Sequence, residues 1–144
     1  DAGLKMVAER PLLGLGPALV KRVYPLYRHP TAPRLLVPHL HNTYLQLAAE
    51  RGIAELSVFV ALLAGAFVAA WRGFARAAAG ADVALGVVGG LTAFAVAGLF
   101  EHNWGDTEVQ RVALFLIALP VALAATAEPT TAEPGTGEPG KSAA

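Results

Sequence analysis

Between Ile53 and Trp71 the chain reads IAELSVFVALLAGAFVAAW, nineteen residues with one charge, Glu55, and from Val83 to Phe100 it reads VALGVVGGLTAFAVAGLF, eighteen residues with none. About 20 apolar residues carry a helix across the ~30 Å hydrocarbon core of a bilayer, so both runs have the length of a membrane span. A third run, VALFLIALPVALAATA from Val112 to Ala127, holds sixteen residues. At ~1.5 Å per residue it covers about 24 Å, so it spans only if its helix begins inside the polar segment EHNWGDTEVQR before it. Thr107-Glu108-Val109-Gln110 supplies that start, because it fits the capping box with Asp106 or Thr107 as cap. The expected fold class is all-α: polytopic integral membrane helices, about three spans here, at 53–71, 83–100 and 107–127.

Composition points the same way. Of the 144 residues, 55% are hydrophobic and 15% charged, and a mean hydropathy of +0.50 does not describe a chain whose main solvent is water. Lys and Arg number 11 and Asp and Glu 11, so the basicity of a nucleic-acid binder is missing and no nucleic acid is expected as partner. The chain has no cysteine, which excludes disulfides, thiolate zinc sites, CxxC redox motifs and cysteine nucleophiles. It opens on Asp1 with no basic stretch ahead of a short apolar run, and so reads as a piece of something longer rather than as a signal peptide.

Outside the spans, residues 1–42 are punctuated by Pro11, Pro17, Pro25, Pro30, Pro33 and Pro38 and predict a loop with short helices at best. Residues 43–127 hold an interfacial helix, opened by the capping pattern Thr43-Tyr44-Leu45-Gln46, and then the three spans. A short polar hinge, 72–82, joins the first two spans. Residues 128–144, EPTTAEPGTGEPGKSAA, are low in complexity and predict a disordered tail. Three spans put the first loop and the 101–111 loop on one side of the membrane. Lys5, Arg10, Lys21, Arg22, Arg28 and Arg34 against Asp1 and Glu9 make the first loop basic. The positive-inside rule alone would set it in the cytoplasm, whereas on the outer side an anionic ligand would account for its charge.

Chemistry-bearing residues are densest between Pro38 and Ile53. Asn42, Gln46 and Glu50 recur at spacing four and form a polar stripe on the lead-in helix, and Gly52 interrupts it where the first span begins, as a bend or close packing requires. His39, His41 and His102 resemble interfacial histidines more than metal ligands, since no carboxylate pair lies near them in sequence; no metal and no cofactor is expected. Gly14-x-Gly16 lacks the third glycine of a dinucleotide loop and reads as a turn. Gly86-x-x-x-Gly90 is a candidate helix-packing pair.

Together these residues resemble the O-antigen ligase and O-antigen polymerase family of membrane glycosyltransferases. His41-Asn42 followed after nine residues by Gly52 is similar to its His-Asn motif. Arg10-Pro11-Leu12-Leu13-Gly14-Leu15-Gly16 is similar to the Pro-Leu-x-Gly-x-Gly element that opens its large external loop, and Leu99-Phe100-Glu101-His102-Asn103 with Asp106 to its short late external loop. The likeness covers about residues 7–127 and departs at Glu55, where the family often carries Gly, Thr or Tyr.

The resemblance implies a C-terminal part of a multi-pass protein of the bacterial inner membrane, with 1–42 part of a large extracytoplasmic loop facing the periplasm or cell exterior. It implies metal-independent transfer, with inversion, of a glycan from a polyprenyl pyrophosphate donor to a lipid A core, glycan or protein acceptor. His41 is then the catalytic base. Arg22, Arg28 and Arg34 are candidates for pyrophosphate contact, Asn42, Gln46 and Glu50 for substrate binding, and Gly14, Gly16 and Gly52 for structural roles. Imidazole takes a proton near neutral pH and guanidinium grips phosphate oxygens in pairs, which is the chemistry such a step needs. Two other readings stay open: a membrane transporter fragment whose basic loop binds an anionic solute, and a structural membrane subunit.

Overall fold

The computed structural model describes residues 2–76 and 80–126. Among them every regular element is helical: α1 (Ala2–Glu9), α2 (Val20–Tyr27), α3 (Thr43–Ala75), α4 (Ala81–Ala97), a single 3-10 turn (Asn103–Gly105) and α5 (Thr107–Thr126). Residues 77–79 of the expected hinge and the expected tail, 128–144, lie outside the described residues.

The longest helix, α3, is two helices joined at a kink. Gly52 takes φ 81° and ψ 177°, a conformation that side-chain-bearing residues resist, and the backbone ladder opens there. The loop after α1 fills the opening. Leu15 N–H donates to the Ala49 carbonyl at 2.9 Å, Gly16 N–H to Glu50 at 2.8 Å, and Ile53 N–H donates back to Pro11 at 2.7 Å. Groups that a helix interruption would orphan are thus paired with the 11–16 segment. Gly14, at φ 68°, lies directly against the Glu50–Arg51 peptide, where a Cβ would come within 2.4 Å of backbone.

Around this joint the first loop builds its own apolar cluster. Met6, Val20, Leu40 and Ala49 are buried together, with Tyr24, Tyr27 and Leu45 against them, so the loop packs on the first turns of α3. The Tyr27 hydroxyl donates to Glu9 and ties α2 to α1.

On both sides of the kink α3 packs side by side with α4 and α5. One cluster joins Leu47, Phe59, Phe94 and Ala113, and a second joins Ala66, Ala70, Val87 and Leu91 with Leu116 against them. Small residues allow the close approach: a Cβ on Gly90 would meet Leu116 Cδ1 at 2.9 Å. Gly86 faces open space, so only one member of the expected pair packs a helix.

Among the described residues one helix, α3, is long and apolar enough to cross a membrane, against the three spans expected from the sequence. The stretch from Ile53 to Ala75 runs about 35 Å at ~1.5 Å per residue. The apolar helix α4 has 17 residues, short of the ~20 a perpendicular span needs, because Gly98 and the turn after it end the helix before Phe100. The 20-residue α5 starts at Thr107, inside the polar segment, and its first hydrogen bond runs from Gln110 N–H to the Asp106 carbonyl.

Candidate functional site

The start of α3 is fastened to the end of α4. Asn42 caps α3, its Oδ1 accepting from Leu45 N–H at 2.8 Å, while its Nδ2 donates to the Leu99 carbonyl at 3.0 Å. The expected cap at Thr43 is corrected by one residue. Thr43, 1% exposed, uses its hydroxyl elsewhere, donating to Asn103 Oδ1 at 2.8 Å, and its N–H donates to the Gly98 carbonyl at 2.7 Å. Asn103 completes the link with Nδ2 on the Phe94 carbonyl at 3.0 Å. Buried polar groups of this kind hold position because leaving any one unpaired costs about 1–3 kcal/mol.

These bonds carry Glu101 to His41. His41 Nδ1 lies 2.9 Å from Glu101 Oε2, and His39 Nδ1 lies 3.3 Å from Glu101 Oε1. The His41 bond and the N–H of His102 hold the Glu101 carboxyl below the usual carboxylate range, so it is ionised at neutral pH and only accepts. His41 Nδ1 therefore donates, and in the neutral ring Nε2 keeps its lone pair. With side-chain exposures of 56% for His41 and 49% for Glu101, the pair sits in solvent and contributes little to stability. Its use is orientation.

A third imidazole closes the cluster. The His102 ring lies 5.6 Å from that of His39, and His39 lies 5.1 Å from His41. Burial, and then the neighbouring His39, push the His102 value down, so its ring is held neutral. Its Nδ1 is buried without a hydrogen-bond partner among the described residues.

Two cavities flank His39. One of about 240 Å³ is bordered by Lys21, Gln46, Glu50, His102 and Asp106; the other, about 260 Å³, by Tyr24, His41, Asn42 and Leu45. A third, about 460 Å³, continues the first past Gln46 and Glu50 to Arg51, Trp104 and Gln110. Polar hydrogen-bonding groups and one indole, that of Trp104, line this trough.

The sequence-derived candidates separate on these facts. His41 stands at the rim, paired as described. Gln46 is buried and its Oε1 accepts from Leu40 N–H at 2.7 Å, and Glu50 borders the trough. Asn42 has both ends of its amide engaged by the backbone. Arg22 and Arg34 are exposed, and Arg28 Nη1 donates to the Ala32 carbonyl at 2.9 Å. None of the three arginines borders either cavity beside His39; Lys21 does. Glu55, the departure from the family pattern, pairs with Arg51 at 3.1 Å, one turn earlier. At the kink Gly14 lies against the Glu50–Arg51 peptide and Gly52 against Leu12 and Leu13, and Gly16 donates into it.

Sequence reasoning did not select Glu101, Lys21 or the pairing of His39 with the carboxylate. The signal for Glu101 was the expectation that the first loop and residues 101–111 share one side of the membrane. No protein-family model, curated protein or solved structure matches the chain.

Proposed function

We propose that the chain is the catalytic part of a polytopic membrane glycosyltransferase of the O-antigen ligase and polymerase type, moving a glycan from a polyprenyl pyrophosphate to an acceptor hydroxyl. In this reading α4 and α5 cross the bilayer beside α3, and the first loop and Glu101 face the outer side of a bacterial inner membrane. Apolar exposure supports the three spans. Only 22% of the most apolar window of α3 is buried, whereas the core helix of a water-soluble protein is mostly covered. Val58, Phe67 and Trp71 on α3, Val83, Leu85 and Val96 on α4, and Val112, Phe115 and Val121 on α5 all face outward.

The observation that carries the reading is the His41–Glu101 pair at the end of a helix of membrane length, with His41 bordering the cavity on one side of His39 and the polar trough lying on the other. The acceptor hydroxyl gives its proton to His41 Nε2 as its oxygen bonds to the anomeric carbon. The bond from that carbon to the pyrophosphate oxygen breaks with its electron pair leaving on the pyrophosphate, and the configuration inverts. Glu101 fixes the ring tautomer and balances the imidazolium that forms, the orienting role a carboxylate takes behind a histidine base. Lys21, with Arg22, Arg28 and Arg34 on the same basic loop, meets the negative charge of the leaving group.

The test is transfer from a polyprenyl pyrophosphate-linked glycan by membranes containing the protein. His41→Ala protein that inserts normally is expected to lose transfer, and wild-type rates from it would overturn the assignment.

A further inference from the structure

We propose that His39, His41 and Glu101 form a zinc site on the outer face of this fold. One ligand atom from each lies within 4.8 Å of the others, with Glu101 presenting Oε1 to His39 Nδ1 at 3.3 Å and Oε2 to His41 Nδ1 at 2.9 Å. Ligands at ~2.1 Å from a tetrahedral zinc ion stand about 3.4 Å apart, so each imidazole is already near that spacing from one carboxylate oxygen, and the three donors, within 4.8 Å, close onto one coordination face by small side-chain rotations. Two imidazole nitrogens and one carboxylate favour zinc over magnesium or calcium, which take oxygen donors. A fourth position stays open to water.

The backbone under the site is fixed, which is what separates a site from a chance cluster. Leu40, between the two histidines, is buried, and its N–H is held by the buried Gln46. The Glu101 carbonyl lies 3.1 Å from the Thr43 hydroxyl, whose proton goes to Asn103, and its carboxylate accepts from His102 N–H at 2.8 Å. The second bond is the outer-sphere support that metal-ligating carboxylates carry. On binding, each imidazole keeps one proton, moved from Nδ1 to Nε2, and Nδ1 gives its lone pair to the ion. An ion held there takes both Nδ1 atoms and the carboxylate, so zinc and the hydrogen-bonded His41–Glu101 pair exclude one another.

The proposal does not rest on the transferase reading, and its test uses no glycan. Untagged protein in detergent, titrated with Zn²⁺ by calorimetry and with Co²⁺ by visible absorption, is expected to bind one ion per chain. His39→Ala, His41→Ala and Glu101→Gln should each weaken zinc by more than about tenfold, the loss that even outer partners of a ligand produce. His29→Ala, which removes an imidazole outside the cluster, should leave binding unchanged. Imidazole ¹⁵N spectra of the unaltered protein provide a readout that needs no variant: zinc should move the His39 and His41 signals and spare His29. Absence of zinc uptake, uptake without those shifts, or equal weakening by His29→Ala overturns the proposal.

Discussion

A Cβ placed on Gly52 lies 2.0 Å from the carbonyl oxygen of Leu12. The obstacle is backbone, itself tied to α3 by the Ile53–Pro11 hydrogen bond, and Gly52 also sits at φ 81°. Gly52→Ala therefore adds a left-handed penalty of about 1–2 kcal/mol to a clash that no side-chain rotation relieves. Thermal unfolding in detergent should show a loss above about 2 kcal/mol. Gly86→Ala, in the helix interior with nothing near its Cβ, should gain about 0.5–1 kcal/mol in the same assay.

The joint shows what the sequence could and could not convey. Gly52 stood out as a break between a polar stripe and an apolar run, and Gly14 as a turn, because each is a local departure from a pattern. That Gly14 lies against the Glu50–Arg51 peptide and Gly52 against Leu12 and Leu13 depends on how a forty-residue loop folds back, which no periodicity encodes. From 53 onward the helices were legible as apolar runs but their ends were not, since α3 continues to Ala75 and α4 stops at Ala97, short of Phe100. The cap at the start of α3 was misread by one residue because Asn42 and Thr43 both carry capping oxygens, and only the buried Asn103 decides which oxygen goes where. The arginines were legible as charge but not as positions, and it is Lys21 that reaches the cavity.

Asn103 should be more sensitive than its place in a connecting turn suggests. Its side chain serves Thr43 and the Phe94 carbonyl, both inside the bundle. Asn103→Ala removes both bonds, although Gly98 N–H still serves the Phe94 carbonyl and the Glu101 carbonyl lies 3.1 Å from the Thr43 hydroxyl, and is expected to cost about 0.5–1.5 kcal/mol per lost bond in chemical or thermal unfolding. Asp106→Asn, an exposed change on the same segment, should stay within about 0.5 kcal/mol of the unaltered protein.

Acid should destabilise the fold in two stages, measured in chelator-treated buffer. Above pH 6.5, the ordinary value for His102, folded and unfolded chains both hold a neutral ring there. Burial and His39 lower the folded value, against smaller opposing effects of Glu50, Asp106 and Glu101, so the unfolded chain takes the proton first as pH falls and stability declines. Glu101 acts lower down. Its folded value lies below the ordinary 4.5, so its contribution is present above 4.5 and is lost as pH falls through the folded value. His102→Gln should remove the upper stage of the melting-temperature decline and Glu101→Gln the lower.

If Glu101 orients His41 without touching substrate, its variants should change turnover and not binding. Removal of a general base costs about 10²–10⁴-fold, the range expected for His41→Ala. Glu101→Gln should lower kcat by less than that with KM unchanged, and Glu101→Asp should recover part of the loss. A rise in KM with kcat intact would mean that the carboxylate contacts the substrate instead.

The absence of native cysteine makes the arrangement of the helices directly measurable, because one introduced thiol is the only one in the chain. Arg34, Arg76 and Asp106 are exposed and stand, respectively, before α3, after α3 and before α5. If α3, α4 and α5 all cross the bilayer, Arg34→Cys and Asp106→Cys share one side and Arg76→Cys lies on the other. A membrane-impermeant maleimide added to intact cells should label positions 34 and 106 and reach 76 only after permeabilisation. Labelling of 76 alone would turn the His41–Glu101 pair toward the cytoplasm, away from any outward-facing lipid-linked glycan. Labelling of all three would mean that α3 does not cross, and its apolar face would then need a protein partner to cover it.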